Sequence, residues 1–64
     1  MKQRTLVAEI YTIWGTRHRA LRLSYRGRNL LDMIEPMTDK EREQRAHDYA
    51  KAQGFTRVRW AFVQ

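Results

Sequence analysis

The spacing of apolar and polar positions changes period twice along this chain. Residues 5–14, Thr-Leu-Val-Ala-Glu-Ile-Tyr-Thr-Ile-Trp, alternate and are rich in β-branched and aromatic types, the composition of a strand. Gly15-Thr16 fits a two-residue type II′ turn with glycine first, and residues 17–25 then return as a second strand. Folding about that turn sets Leu6 against Tyr25, Ala8 against Leu23 and Ile10 against Leu21 on one side. The other side receives Glu9 opposite Arg22, a cross-strand pair of opposite charge. A slip of one residue would destroy the apolar set and the ion pair together, so both specify one register.

Arg26-Gly27 marks a second tight turn. Beyond it, Asn29 to Glu35 alternates imperfectly, with Leu30, Asp32 and Ile34 on one face and Leu31 and Met33 on the other. This segment reads as a third strand, with a short helical turn as the alternative. The period then lengthens. Thr38 to Gly54 carries the start and stop signals of one helix of about four turns. Thr38 and Glu41 have the spacing of a capping box, Pro36 excludes an earlier start, and Gly54 can adopt the left-handed conformation that ends a helix. Arg42, Ala46, Tyr49, Ala50 and Gln53 form the inward stripe, while Lys40, Glu41, Glu43, Arg45, Asp48 and Lys51 face water.

After Gly54, Phe55 to Val63 alternates again. Thr56, Val58, Trp60 and Phe62 lie on one side and Arg57, Arg59 and Ala61 on the other, so Val58, Trp60 and Phe62 are expected to be the heaviest core residues. The predicted class is α+β, a small two-layer sandwich of a three-stranded antiparallel meander, one helix and a C-terminal strand. The element order is βββαβ, or ββαβ if residues 29–35 are not a strand. The last strand is expected beside and parallel to the first, in the order 4-1-2-3.

Sixty-four residues make one domain, 1–64, with a small core. There is no cysteine, which removes disulfides, thiolate metal ligands and thiol nucleophiles. No apolar run approaches a membrane span and the first residues lack a signal-peptide core, so a cytoplasmic protein without membrane contact is expected. Charge adds more. Residues 1–28 hold seven Lys and Arg against Glu9 alone, a local +6; residues 29–53 carry −2 and residues 54–64 carry +2. Cationic ends around an acidic middle attract nucleic acid or an acidic protein surface.

Two candidate surfaces follow. The sheet face away from the helix would carry Val7, Glu9, Tyr11, Ile13, His18, Ala20, Arg22, Arg57 and Arg59. An aromatic among arginines there can stack a base and hold phosphates, or the apolar strip can dock a protein or a second copy of the chain. The hairpin tip, Trp14 to Arg19, offers an aromatic beside Arg17, His18 and Arg19 for an acidic cleft or groove. Trp14 folded back on the core edge is the plainer alternative. Catalysis has little support. The one serine, Ser24, has no histidine at a pairing distance in sequence, His47-Asp48 diverge on a helix, and neither metal-ligand spacing nor a glycine-rich phosphate loop is present. No catalytic residue, metal or cofactor is expected. A small metal-free RNA-cleaving toxin, with His18, Arg19, Tyr11 and Arg57 in the active roles, is the one enzyme class left open.

Residues 46–59, ending Gly54-Phe55-Thr56-Arg57-Val58-Arg59, resemble the tail of small phage host-takeover proteins, specifically the bacterial RNA polymerase inhibitors of short-tailed coliphages. Small anti-CRISPR proteins share the size and architecture. The resemblance implies a non-enzymatic inhibitor in a bacterial host cell. Its strand bearing Arg57 and Arg59 would press on an acidic surface of a host protein or nucleoprotein complex. Residues 17–28 have no counterpart in that family. A direct DNA- or RNA-binding protein using Arg17, Arg19, Arg22, Arg57 and Arg59 on phosphates is the competing expectation. The sequence admits a monomer or a homodimer.

Overall fold

A computed structural model describes residues 3–62, as β1 (Thr5–Thr12), β2 (Arg19–Tyr25), β3 (Arg28–Met33), α1 (Asp39–Ala52) and β4 (Arg57–Phe62). The protein is α+β, a four-stranded mixed sheet ordered β3-β2-β1-β4 with one helix. β1 and β2 pair antiparallel with Ala8 opposite Leu23, Glu9 opposite Arg22 and Ile10 opposite Leu21, the register that the apolar pattern dictates. β4 lies parallel to β1, with Leu6 opposite Val58 and Ala8 opposite Trp60.

The first turn differs from expectation. β1 ends at Thr12, because Thr16 closes a turn on Ile13, one residue earlier than expected: its amide N–H donates to the Ile13 carbonyl at 3.0 Å and its hydroxyl donates there at 2.9 Å. Gly15 is therefore the third residue of that turn, at φ +80°, as a type II geometry requires, and not the first central residue of a II′ turn. The hydrogen bond from Ile13 N–H to His18 C=O at 2.8 Å preserves the register below it. The second turn is tight, with both Arg26 and Gly27 at positive φ, the type I′ signature.

The third strand is real, and its irregular pattern has a cause. Ser24 pairs with Asn29 while Leu23 pairs with Leu31, so Leu30 is the extra residue of a bulge. Leu31 and Met33 turn to the helix side, whereas Leu30 is exposed.

The helix begins with the complete capping box. The Glu41 N–H donates to the Thr38 hydroxyl and the Thr38 N–H donates to Glu41 Oε1, each at 3.1 Å. It ends in a Schellman motif: Phe55 N–H donates to the Ala50 carbonyl at 2.8 Å, Gly54 N–H to the Lys51 carbonyl at 3.4 Å, and Gly54 has φ +78°. Between these ends Arg42, Ala46 and Ala50 are buried.

The core is centred on Leu6 and Ala8 of β1, Leu21 and Leu23 of β2, and Ala46 and Ala50 of α1. Val58 and Trp60 pack against this cluster only half-buried, which corrects the expectation that they dominate it. As residues of an edge strand they have a sheet neighbour on one side alone. The Phe62 side chain and the expected strand end at Val63 lie outside the described residues. Leu23→Ala should destabilise by roughly 2–5 kcal/mol in chemical denaturation, whereas Val58→Ala should cost clearly less; equal losses would contradict a core centred on β1 and β2.

The capping box also sets an acid dependence. The backbone N–H of Thr38, and then its hydroxyl, hold the Glu41 carboxyl below its ordinary range. Its folded pKa is depressed, so its stabilisation is present above the unfolded carboxylate range and is lost as pH falls through the folded value. Glu41→Gln should reduce the fall in Tm as pH is lowered through the ordinary carboxylate range and below it, and should leave the slope above that range unchanged; an unchanged acid slope would remove this role.

Candidate binding surface

The strand directions gather basic residues at the two ends of the sheet. β1 delivers Trp14 to the hairpin loop, and β2 departs from Arg19, so residues 13–19 form one end of the molecule. Trp14 is 96% exposed. Arg17, His18 and Arg19 follow it, all exposed, and line a recess of about 260 Å³. Its far wall is Ile34, Pro36 and Met37, from the segment joining β3 to the helix, and Arg42 reaches it from the first turns of α1. Asp39 ties the parts together, accepting from Arg19 Nη1 and from Arg42 Nη1, the latter at 2.7 Å.

The sheet face opposite the helix is not the open cationic platform expected. Arg22 lies at its centre, donating from Nε to Asp32 Oδ1 at 3.1 Å and standing 3.7 Å from Glu9 Oε1 through Nη1. Its guanidinium also covers the Tyr11 ring, 4.7 Å from the centroid. The hydrogen bond to Asp32 raises the Arg22 pKa further above its already high ordinary value. Arg22 is therefore occupied by two acids, and one face of Tyr11 is sealed. Ala20, opposite Tyr11 in register, is fully buried, and His18 belongs to the loop, not the sheet.

Arg57 and Arg59 are exposed on β4, opposite Thr5 and Val7. Arg57 Nη1 donates to Gln3 Oε1 at the outer limit of a hydrogen bond, 3.5 Å. These two arginines are separated from the tip by the row Asp32–Arg22–Glu9, whose charges leave −1. The structure thus brings Trp14, Arg17, His18 and Arg19 together, and sets Tyr11 with Arg22, and Arg57 with Arg59, apart from them.

Two arginines make contacts outside those expectations. Arg42 occupies the inward stripe between alanines, and a cation at such a position needs a partner (a signal readable in the sequence). Arg4 lies at the opposite end, its guanidinium 4.5 Å from the Phe55 ring centroid and 5.4 Å from that of Tyr25, donating to the Gln53 carbonyl at 3.2 Å. Nothing local in the sequence marks that contact, which joins residues far apart in the chain.

The His47 ring lies edge-on to Trp60, with centroids 6.5 Å apart, while Asp48 accepts from Gln44 at 2.9 Å. Among the described residues no group of three or more His, Asp or Glu side chains is placed to hold a metal ion, and no helix is long and apolar enough to cross a membrane. No family model, curated protein or solved structure matches this chain. The candidate surface therefore has to be read from its own chemistry.

In a Trp60→Phe variant, Trp14 should emit as a fully solvated indole. Iodide should quench it more strongly than caesium, because the neighbouring arginines concentrate anions. Equal quenching by the two ions, or a blue-shifted emission, would contradict this tip geometry.

Proposed function

We propose that this protein is a non-enzymatic binding module that docks on an acidic protein surface of a nucleic-acid-processing complex, with the hairpin tip as its leading contact. The observation that carries this reading is Trp14, 96% exposed at the tip, with Arg17, His18 and Arg19 exposed on the far side of the same turn. Water gains nothing from an indole held in it. Tryptophan and arginine are the residues that most often anchor protein interfaces, because one buries a large rigid surface and the other makes forked hydrogen bonds to carboxylates.

Charge placement favours a protein partner over a nucleic-acid backbone. A strand of phosphates is matched by a continuous basic track, and here the Asp32–Arg22–Glu9 row interrupts the sheet face. Tyr11, the aromatic that a base would stack on, is covered by Arg22. The resemblance of residues 46–59 to phage host-takeover proteins points to a bacterial target, and β4 with Arg57 and Arg59 would then form a second, weaker contact.

The wild-type chain should capture a stoichiometric protein from nuclease-treated bacterial lysate. The double variant Trp14→Ala, Arg17→Glu should lose that capture with an unchanged circular dichroism spectrum. Arg57→Glu with Arg59→Glu should weaken capture less. Undiminished capture by the tip variant would sink the tip as the contact. Tight binding to plain DNA or RNA that falls steeply with salt would replace this reading by direct nucleic-acid binding.

A further inference from the structure

We propose that the recess beneath the hairpin tip is a binding site for a phosphate monoester. Its cationic side is made by Arg17, Arg19 and Arg42, with His18 between the first two. The acid tied to this group is Asp39, shared by Arg19 and Arg42. Three guanidinium charges against one carboxylate leave two positive charges around one small recess. A phosphoryl dianion balances them, where a single carboxylate would not.

Arg42 gives the independent reason to expect a ligand. It is only 5% exposed, yet its one ionic partner among the described residues, Asp39, has a side chain that is 47% exposed. Arg42 Nη2 donates to the Arg19 carbonyl at 3.0 Å, and its buried Nε has no hydrogen-bond partner among the described residues. Taking a guanidinium out of water is costly unless an anion compensates it, and a half-solvated carboxylate does so only in part. The same bonds fix the Arg42 head group in place, so little entropy is lost when an anion arrives. Arginine forks match the tetrahedral face of a phosphoryl group and donate charge-assisted hydrogen bonds to it.

The rest of the recess selects for an ester over the free ion. Ile34, 62% exposed, stands with Pro36 and Met37 as an apolar wall facing the cations. At about 260 Å³ the space is slightly smaller than that of common drug-sized ligand sites, roughly 300–1,000 Å³, so it suits a phosphoryl group carrying one small ring. Arg17, His18 and Arg19 serve both the recess and the docking tip, whereas Trp14 does not line the recess, so Trp14→Ala separates the two.

The test is an NMR titration of the arginine Nε–Hε and the residue 17–19 amide signals with phenyl phosphate, inorganic phosphate, benzoate and chloride at matched ionic strength. Phenyl phosphate should bind saturably at one site, more tightly than inorganic phosphate, and benzoate more weakly than either. Arg17→Gln should weaken phenyl phosphate roughly tenfold, the loss of one charge-assisted hydrogen bond. Arg42→Gln should weaken it at least as much, and Arg59→Gln and Trp14→Ala should leave it unchanged. If Arg42→Gln fails to fold, the exposed Arg17→Gln variant decides. Shifts no larger than chloride produces, tighter binding of benzoate, or an Arg17→Gln affinity equal to wild type would each overturn the assignment.

Discussion

The pairing of β1 with β2 is the constraint from which the other features descend. With Ala8 opposite Leu23 and Ile10 opposite Leu21, one side of the hairpin becomes an apolar floor. The same alignment delivers Glu9 and Arg22 together to the reverse side. Side chains alternate strictly along a strand, so a shift of one residue would bury Arg22 and expose Leu23. Burying an arginine without its acids costs several kcal/mol or more, a large fraction of what a domain of this size has to offer. The register is therefore enforced from both faces, and the helix has one place to lie.

That placement is close because the contacting helix side chains are small. Ala46 and Ala50 meet Leu6, Ala8, Leu21 and Leu23, so the leucines supply the apolar area while the alanines let the backbone approach. Along the same stripe, one turn before Ala46, stands Arg42. It cannot end in the leucine floor, and it reaches instead toward the start of β2 to meet the Arg19 carbonyl and Asp39. The core and the cationic recess are in this way two parts of one helix stripe, apolar toward the C-terminus and ionic toward the N-terminus.

How far the sequence discloses this structure depends on the range of the interaction. The capping box and Gly54 are local, and they set the helix ends as expected. The hairpin register was legible because two independent signals, apolar alternation and the Glu9–Arg22 pair, agreed. Glycine position alone suggests the wrong first turn, because the Thr16 hydroxyl bonds to Ile13 and His18 and reshapes the loop without moving the register. Leu30 confused the third strand because a bulge adds a residue that belongs to neither face. The occupation of the basic face has a longer-range cause. Asp32 reaches Arg22 only once β3 is aligned on β2, and that alignment depends on the bulge.

The same pairing decides where the protein can use its charge. Surplus positive charge weakens a compact state through self-repulsion, and the cost rises as like charges approach one another. At the centre of the sheet, where strands hold side chains closest, Arg22 is flanked by Glu9 and Asp32, and no excess remains. The surplus is carried where the chain turns, at Arg17 and Arg19 on one end and at Arg26 and Arg28 on the other, in higher dielectric and farther apart. Arg57 and Arg59 add to the surplus on the edge strand β4, and Arg42 departs from the arrangement in another way, since its cation is held in the interior beside the tip. A fold that neutralises its middle and leaves its ends charged presents its electrostatic attraction at those ends. The tip is the end where that attraction coincides with an exposed indole.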